Sequence, residues 1–84
     1  MYDISKEIII RTRKELFNNL QNNAENIVEI VVNRSNLNDI TKICGSDLKR
    51  LKILKLPENC ITDIKPLKEA KFEVLEKLNF NQIK

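Results

Sequence analysis

Between Leu48 and Leu67 the apolar positions follow neither the 3.6-residue period of an amphipathic helix nor the alternation of a half-buried strand. Leu48, Leu51, Leu54, Leu56, Asn59, Ile61, Ile64 and Leu67 spell L-x-x-L-x-x-L-x-L-x-x-N-x-I-x-x-I-x-x-L. The arrangement stands once before: subtracting 24 from the numbering puts Ile27, Ile30, Val32, Ser35, Leu37, Ile40 and Ile43 under Leu51, Leu54, Leu56, Asn59, Ile61, Ile64 and Leu67. Adding 24 begins it again, with Phe72, Leu75, Leu78 and Phe80 matching Leu48, Leu51, Leu54 and Leu56. A pattern returning at one fixed offset signals stacked units, here two full ones and the start of a third. Coincidental leucine spacing in an ordinary small α/β domain does not account for matches in three successive stretches.

Over roughly residues 24–80 these positions resemble the leucine-rich repeat family, in the short intracellular form with units of about 24 residues. The resemblance implies an α/β fold: a right-handed solenoid with one short parallel strand per unit, occupying residues 24–84, behind an N-terminal helical cap in residues 1–23. The expected strands lie near residues 28–32, 52–56 and 76–80. Their inward side chains would stack in two ladders, Ile30 with Leu54 and Leu78, and Val32 with Leu56 and Phe80. Each fully buried member contributes on the order of 1.5 to 3 kcal/mol. After each strand the chain turns and leaves backbone groups without ladder partners. In this family the asparagine at the Asn59 position turns inward to bond them, an amide being both donor and acceptor. Ser35 would perform part of that role in the first unit. In the third, either Ile83 occupies the asparagine position or Asn81 serves a shortened unit.

The offset fails in residues 3–23, where it would put Asp3 and Lys6 at buried positions. Ile4, Ile8, Ile9, Leu16, Phe17 and Leu20 instead fall on one helical face, with Arg11, Arg13, Lys14 and Glu15 largely on the other. This predicts an amphipathic helix over about residues 5–21, N-capped by Asp3 or Ser5, stopped at Asn22 and Asn23, and laid across the first unit's apolar end. The competing assignment makes Glu7 to Arg11 a strand, as three consecutive isoleucines allow. On the return side, Ser46 and Asp47 suggest a helix N-cap before Leu48, and Pro66 suits the start of a turn running to Ala70. Gly45 is expected in a conformation other residues resist.

Length sharpens the stability question. Eighty-four residues make one domain that buries only about 60 to 65% of its unfolded surface. Two and a half units plus a cap sit near the roughly three that such stacks need. Fifteen basic residues against twelve acidic ones are interspersed rather than clustered, which speaks for a solvated surface over a nucleic-acid footprint. Cys44 and Cys60 suit neither a disulfide framework nor a zinc site, and the chain has no histidine. A reducing, cytoplasmic compartment and a soluble chain are therefore expected, since no apolar run nears the roughly 20 residues of a membrane span.

No catalytic, metal or cofactor residue is expected: there is no glycine-rich phosphate loop, and neither cysteine has a base at motif spacing. Asp39 and Asp63 repeat because they suit a turn rather than as an acid/base pair. The outward strand positions would form a concave binding face: Glu29, Val31 and Asn33, then Ile53, Lys55 and Pro57, then Lys77, Asn79 and Asn81. Val31 and Ile53 are apolar where a solvated sheet carries polar groups, which β-propensity alone also explains. The expected function is a non-enzymatic protein-binding adaptor or regulatory subunit. The last strand, without a polar cap after it, is expected to be an open edge inviting a partner or a second copy, unless the chain is a fragment of a longer array. A nucleic-acid role through Arg11, Arg13, Lys14, Lys49, Arg50 and Lys52 is the alternative, weakened by the scarcity of aromatic residues on the strands.

Overall fold

The computed structural model describes residues 6–80. The chain is a small α/β protein in which, among the described residues, four short strands form one open, all-parallel sheet in chain order. In order come β1 (Ile8–Ile10), α1 (Arg13–Leu20), a 3₁₀ turn at Ala24–Asn26, β2 (Ile27–Val31), α2 (Thr41–Cys44), β3 (Ile53–Lys55), a second 3₁₀ turn at Lys65–Glu69 and β4 (Lys77–Asn79).

The strand register follows the repeat offset in the sequence. Glu29, Ile30 and Val31 pair with Ile53, Leu54 and Lys55, which pair in turn with Lys77, Leu78 and Asn79. Hydrogen bonds repeat with it: Lys52 N–H donates to Val28 O at 2.9 Å, and Glu76 N–H to Lys52 O at 2.8 Å. The turns also correspond, since Ile40 (φ −102°, ψ 10°) and Ile64 (φ −104°, ψ 9°) have the same backbone. Each follows an aspartate that accepts from an amide two residues on, Asp39 from Thr41 and Asp63 from Lys65, both at 2.9 Å. These are turn-forming contacts, and the two carboxylates take part in them separately.

The core is almost wholly aliphatic. Ile10, Leu16, Ile27, Ile30, Val32, Leu51, Leu54 and Leu56 are fully enclosed, joined by Leu37, Ile40, Ile43, Leu48 and Ile61 from the connections. The expected ladder of Ile30, Leu54 and Leu78 is in register but not evenly buried. Leu54 is 1% exposed between its neighbours, whereas Leu78 is 48% exposed at the margin of the sheet. Phe80 is half-buried, unlike its counterparts Val32 and Leu56.

The N-terminal region corrects the expectation of one helix over residues 5–21. Ile8–Ile10 is a strand, parallel to β2, and the helix starts only at Arg13. The reason is geometric: as a strand, this run sends Ile10 into the ladder opposite Ile30, while α1 still delivers Leu16 and Leu20 to the core. Thr12 caps the helix, its hydroxyl accepting from Glu15 N–H at 3.1 Å, and Glu15 Oε1 accepts from Arg11 N–H at 2.9 Å. The expected caps Asp3 and Ser5 lie outside the described residues, as do Ile4, Asn81 and Ile83.

Two connection features also differ. Gly45 has an ordinary right-handed backbone (φ −88°, ψ −3°); what constrains it is space, because a Cβ there would meet Thr41 O at 3.2 Å. Ser46 opens no helix at Leu48; its hydroxyl donates to Lys42 O at 2.6 Å and closes α2. The left-handed backbone falls on Arg34 (φ 51°), Asn36 (φ 55°) and Glu58 (φ 55°). The Arg34 guanidinium bonds the Glu58 carboxylate across the same offset, which raises the Arg34 pKa.

Candidate functional site

One face of the sheet packs on the core, and the other carries the residues able to meet a partner. Cα pairing sets Ile9, Glu29, Ile53 and Lys77 in one row across the four strands. The next row holds Val31, Lys55 and Asn79. Glu29, Val31, Ile53, Lys55 and Pro57 are half-buried, whereas Asn33, Lys77 and Asn79 are exposed. Of the outward residues read from the sequence, these eight are described and Asn81 is not.

Ile9 is the member that sequence reasoning missed, because the helical assignment removed it from the sheet. It is 46% exposed, and it extends the apolar pair Val31 and Ile53 toward the first strand. The signal for it was the β-branched run Ile8–Ile10 followed by Thr12-x-x-Glu15, the spacing of a helix N-terminus starting later. The outward face is therefore apolar through Ile9, Val31 and Ile53, with Glu29 among them and Lys55 and Lys77 toward the last strands.

The face is held rigid at the end of its strands by Asn59, the one buried polar residue among those described. Its Oδ1 accepts from Ser35 N–H at 2.8 Å and Leu37 N–H at 3.1 Å; its Nδ2 donates to Val32 O at 2.8 Å and Pro57 O at 3.2 Å. One amide thus satisfies four backbone groups that a turn would strand in a dry interior. Ser35, at the matching position, makes a single short-range contact, donating to Asn33 O at 3.0 Å.

Of the basic residues considered for nucleic acid, Arg13 lines one depression and Lys49, Arg50 and Lys52 line another. Arg13 lies over the Phe17 ring at 5.8 Å beside α1, with Lys42 at 5.8 Å from the same ring. Arg50 pairs with Glu7 at 3.5 Å and Lys49 with Asp47 at 3.7 Å, so acidic partners offset two of the charges. Lys49, Arg50 and Lys52 line a small depression with Glu7, Val28 and Val74. A larger groove, about 460 Å³, lies on the helical side among Phe17, Leu20, Gln21, Lys42, Gly45 and Ser46.

Among the described residues no three His, Cys, Asp or Glu side chains gather to hold a metal. Cys44 is buried, and its burial raises the thiol pKa away from the nucleophilic thiolate. Cys60 is exposed, its Sγ 3.7 Å from the Asn36 side-chain oxygen. No helix among the described residues is long and apolar enough to cross a membrane. No family model, no curated protein and no solved structure matches the chain.

Proposed function

We propose that the chain is a non-enzymatic protein-binding module of leucine-rich repeat type, a short solenoid that takes a protein partner on the outward face of its parallel sheet. The observation that carries this is the register that sets Ile9, Val31 and Ile53 on that face around Glu29, with Lys55 and Lys77 at the border. Apolar side chains on a sheet surface are poorly solvated by water, and a partner's apolar groups would cover them. The charged border would orient the partner more than hold it. The repeating strand register and the Asn59 bonding pattern support the family assignment.

Crosslinking in cell extract followed by mass spectrometry tests the proposal, using the parent chain, Ile53→Lys and Val31→Lys as baits. Both positions face outward and are half-buried, so the variants should retain the parent's circular dichroism spectrum. The proposal expects a protein captured by the parent to be lost from both variants. A folded Ile53→Lys chain that keeps every partner would remove the outward face from consideration.

A further inference from the structure

We infer that the outward face takes an amphipathic helix of its partner, laid across the four strands, whose contacting residues run apolar, basic, apolar, acidic at one per helical turn. This occupant rests on that face's being a protein-binding surface, and is read from the strand register, the spacing and the charges.

The register supplies the template. Ile9, Glu29, Ile53 and Lys77 stand in one row, one residue from each strand, so a partner crossing the strands meets an apolar side chain, an acid, an apolar side chain and a base in that order. Glu29 and Ile53 are half-buried; Ile9 and Lys77 are exposed. Among the described residues the Glu29 carboxylate and the Lys55 and Lys77 amines take part in no ion pair. A partner that covered Glu29 between its two isoleucines without bringing a cation would bury an unpaired charge, which is strongly unfavourable.

Spacing selects the helix. Neighbouring strands lie about 4.8 Å apart, so the row spans about 14 Å in three steps. A helix returns a side chain to one face about every 5.4 Å of its length, at steps of three or four residues. Four such residues, at steps of four, three and four, cover about 16.5 Å, and the long charged side chains absorb the difference. An extended segment returns to one face about every 6.6 Å and a polyproline helix about every 9.3 Å, so neither meets the four strands in turn.

Charge fixes the order of contacts. In the second row Val31 lies two residues along from Glu29 and widens the apolar surround on which the flank of a helix rests. Lys55, in the same row, is a diagonal neighbour of Lys77 on the adjoining strand, so the positive end of the face is doubled and calls for an acid. A wholly basic helix would be repelled there, and a wholly acidic one at Glu29. Only a helix carrying a base and, two turns on, an acid satisfies both ends, with an apolar residue between them over Ile53.

Fluorescence anisotropy of a labelled, alanine-based helical peptide of about 18 residues, titrated with the full chain, tests the inference. Its contact face carries leucine, lysine, leucine and glutamate at steps of four, three and four; a second peptide has glutamate in place of the lysine. The parent chain should bind the first about fivefold or more tighter than the second, and Glu29→Lys should invert that preference. Lys77→Glu, at an exposed position, should weaken the first peptide about threefold, and carries the test alone if circular dichroism shows Glu29→Lys to be unfolded. A proline midway along the first peptide, which breaks the helix, should abolish binding. No binding of the first peptide up to about 1 mM, equal affinity for both peptides, charge variants that behave as the parent, or undiminished binding of the proline peptide would each overturn the inference. Crosslinking with Ile53→Lys tells the two failures apart: a captured partner lost from that variant beside a failed peptide titration removes the helix and keeps the face, whereas a partner retained removes the face as well.

Discussion

The two ends of the sheet carry the same kinds of residue in the same backbone and bury them very differently. Ile40 and Ile64, 24 positions apart, share one turn conformation, yet Ile40 is 1% exposed and Ile64 56%. Leu54 and Leu78 are register partners on adjacent strands, one enclosed and the other half in water. At the N-terminal end Ile30 is fully buried, because β1 places Ile10 beside it and α1 adds Leu16 and Leu20. Burial in this chain is supplied by whatever lies alongside. The hydrophobic pattern nominates core positions, but a strand or helix must cover them before they contribute.

Truncating the two leucines should expose the difference most strongly. Leu54→Ala should cost about 3 kcal/mol in chemical denaturation, the usual scale for a cavity opened among packed side chains. Leu78→Ala should cost under about 1 kcal/mol, since little buried area is lost there. Equal costs would mean that Leu78 is as enclosed as Leu54, and the contrast between the ends would fail.

Asn59 and Ser35 occupy matching positions with unequal duties, and their replacement should rank next. Asn59→Leu removes partners from Ser35 N–H, Leu37 N–H and Val32 O together, at a cost of about 3 kcal/mol, the upper part of the range for stranded polar groups. Ser35→Ala loses one contact to Asn33 O and should cost about 0.5 kcal/mol. Thermal unfolding of both variants checks the ratio.

The N-terminal cover can be loosened without touching the sheet. Thr12→Ala deletes the hydroxyl that accepts from Glu15 N–H, and should destabilise α1 by about 1 kcal/mol. Native-state hydrogen exchange should then show faster exchange in β1 and α1 while β3 keeps its protection, making the first end more like the last. Uniform acceleration through the sheet would instead mean that cover and sheet open as one cooperative unit.

How much was legible in the sequence depended on whether a residue obeyed the repeat offset. Ile30, Leu54 and Leu78 could be aligned from spacing alone, whereas the inward turn of Asn59 was expected only from the family resemblance, since Ser35 stands at the matching position. Ile8–Ile10 could not be aligned, since Ile10 pairs with Ile30 out of step with the other strands, and a search at the one offset places Lys6 there instead. Three isoleucines in a row suit a helix face or a strand equally, and the pairing that decides between them is a tertiary contact. The outward patch was read incompletely for that reason: Val31 and Ile53 were visible, but Ile9 joined them only once β1 existed. Exposure at the last strand was equally hidden, because position in the pattern says which side a residue faces and not what covers it.

The finest contrast is between Arg34 and Glu58, matching residues that both hold a left-handed backbone, at φ 51° and 55°. That conformation costs a residue with a Cβ about 1 kcal/mol or more, and glycine is spared it. Their side chains bond one another, but at an exposed site water and salt screen such a pair until it contributes little. Relief of the backbone should therefore slightly outweigh loss of the pair, and Glu58→Gly should gain about 0.5 kcal/mol in chemical denaturation. Glu58→Ala separates the two effects: it loses the same ion pair while keeping the strained backbone, and should be less stable than the parent. If glycine and alanine behave alike at position 58, the conformation there is relaxed and the ion pair alone sets its stability.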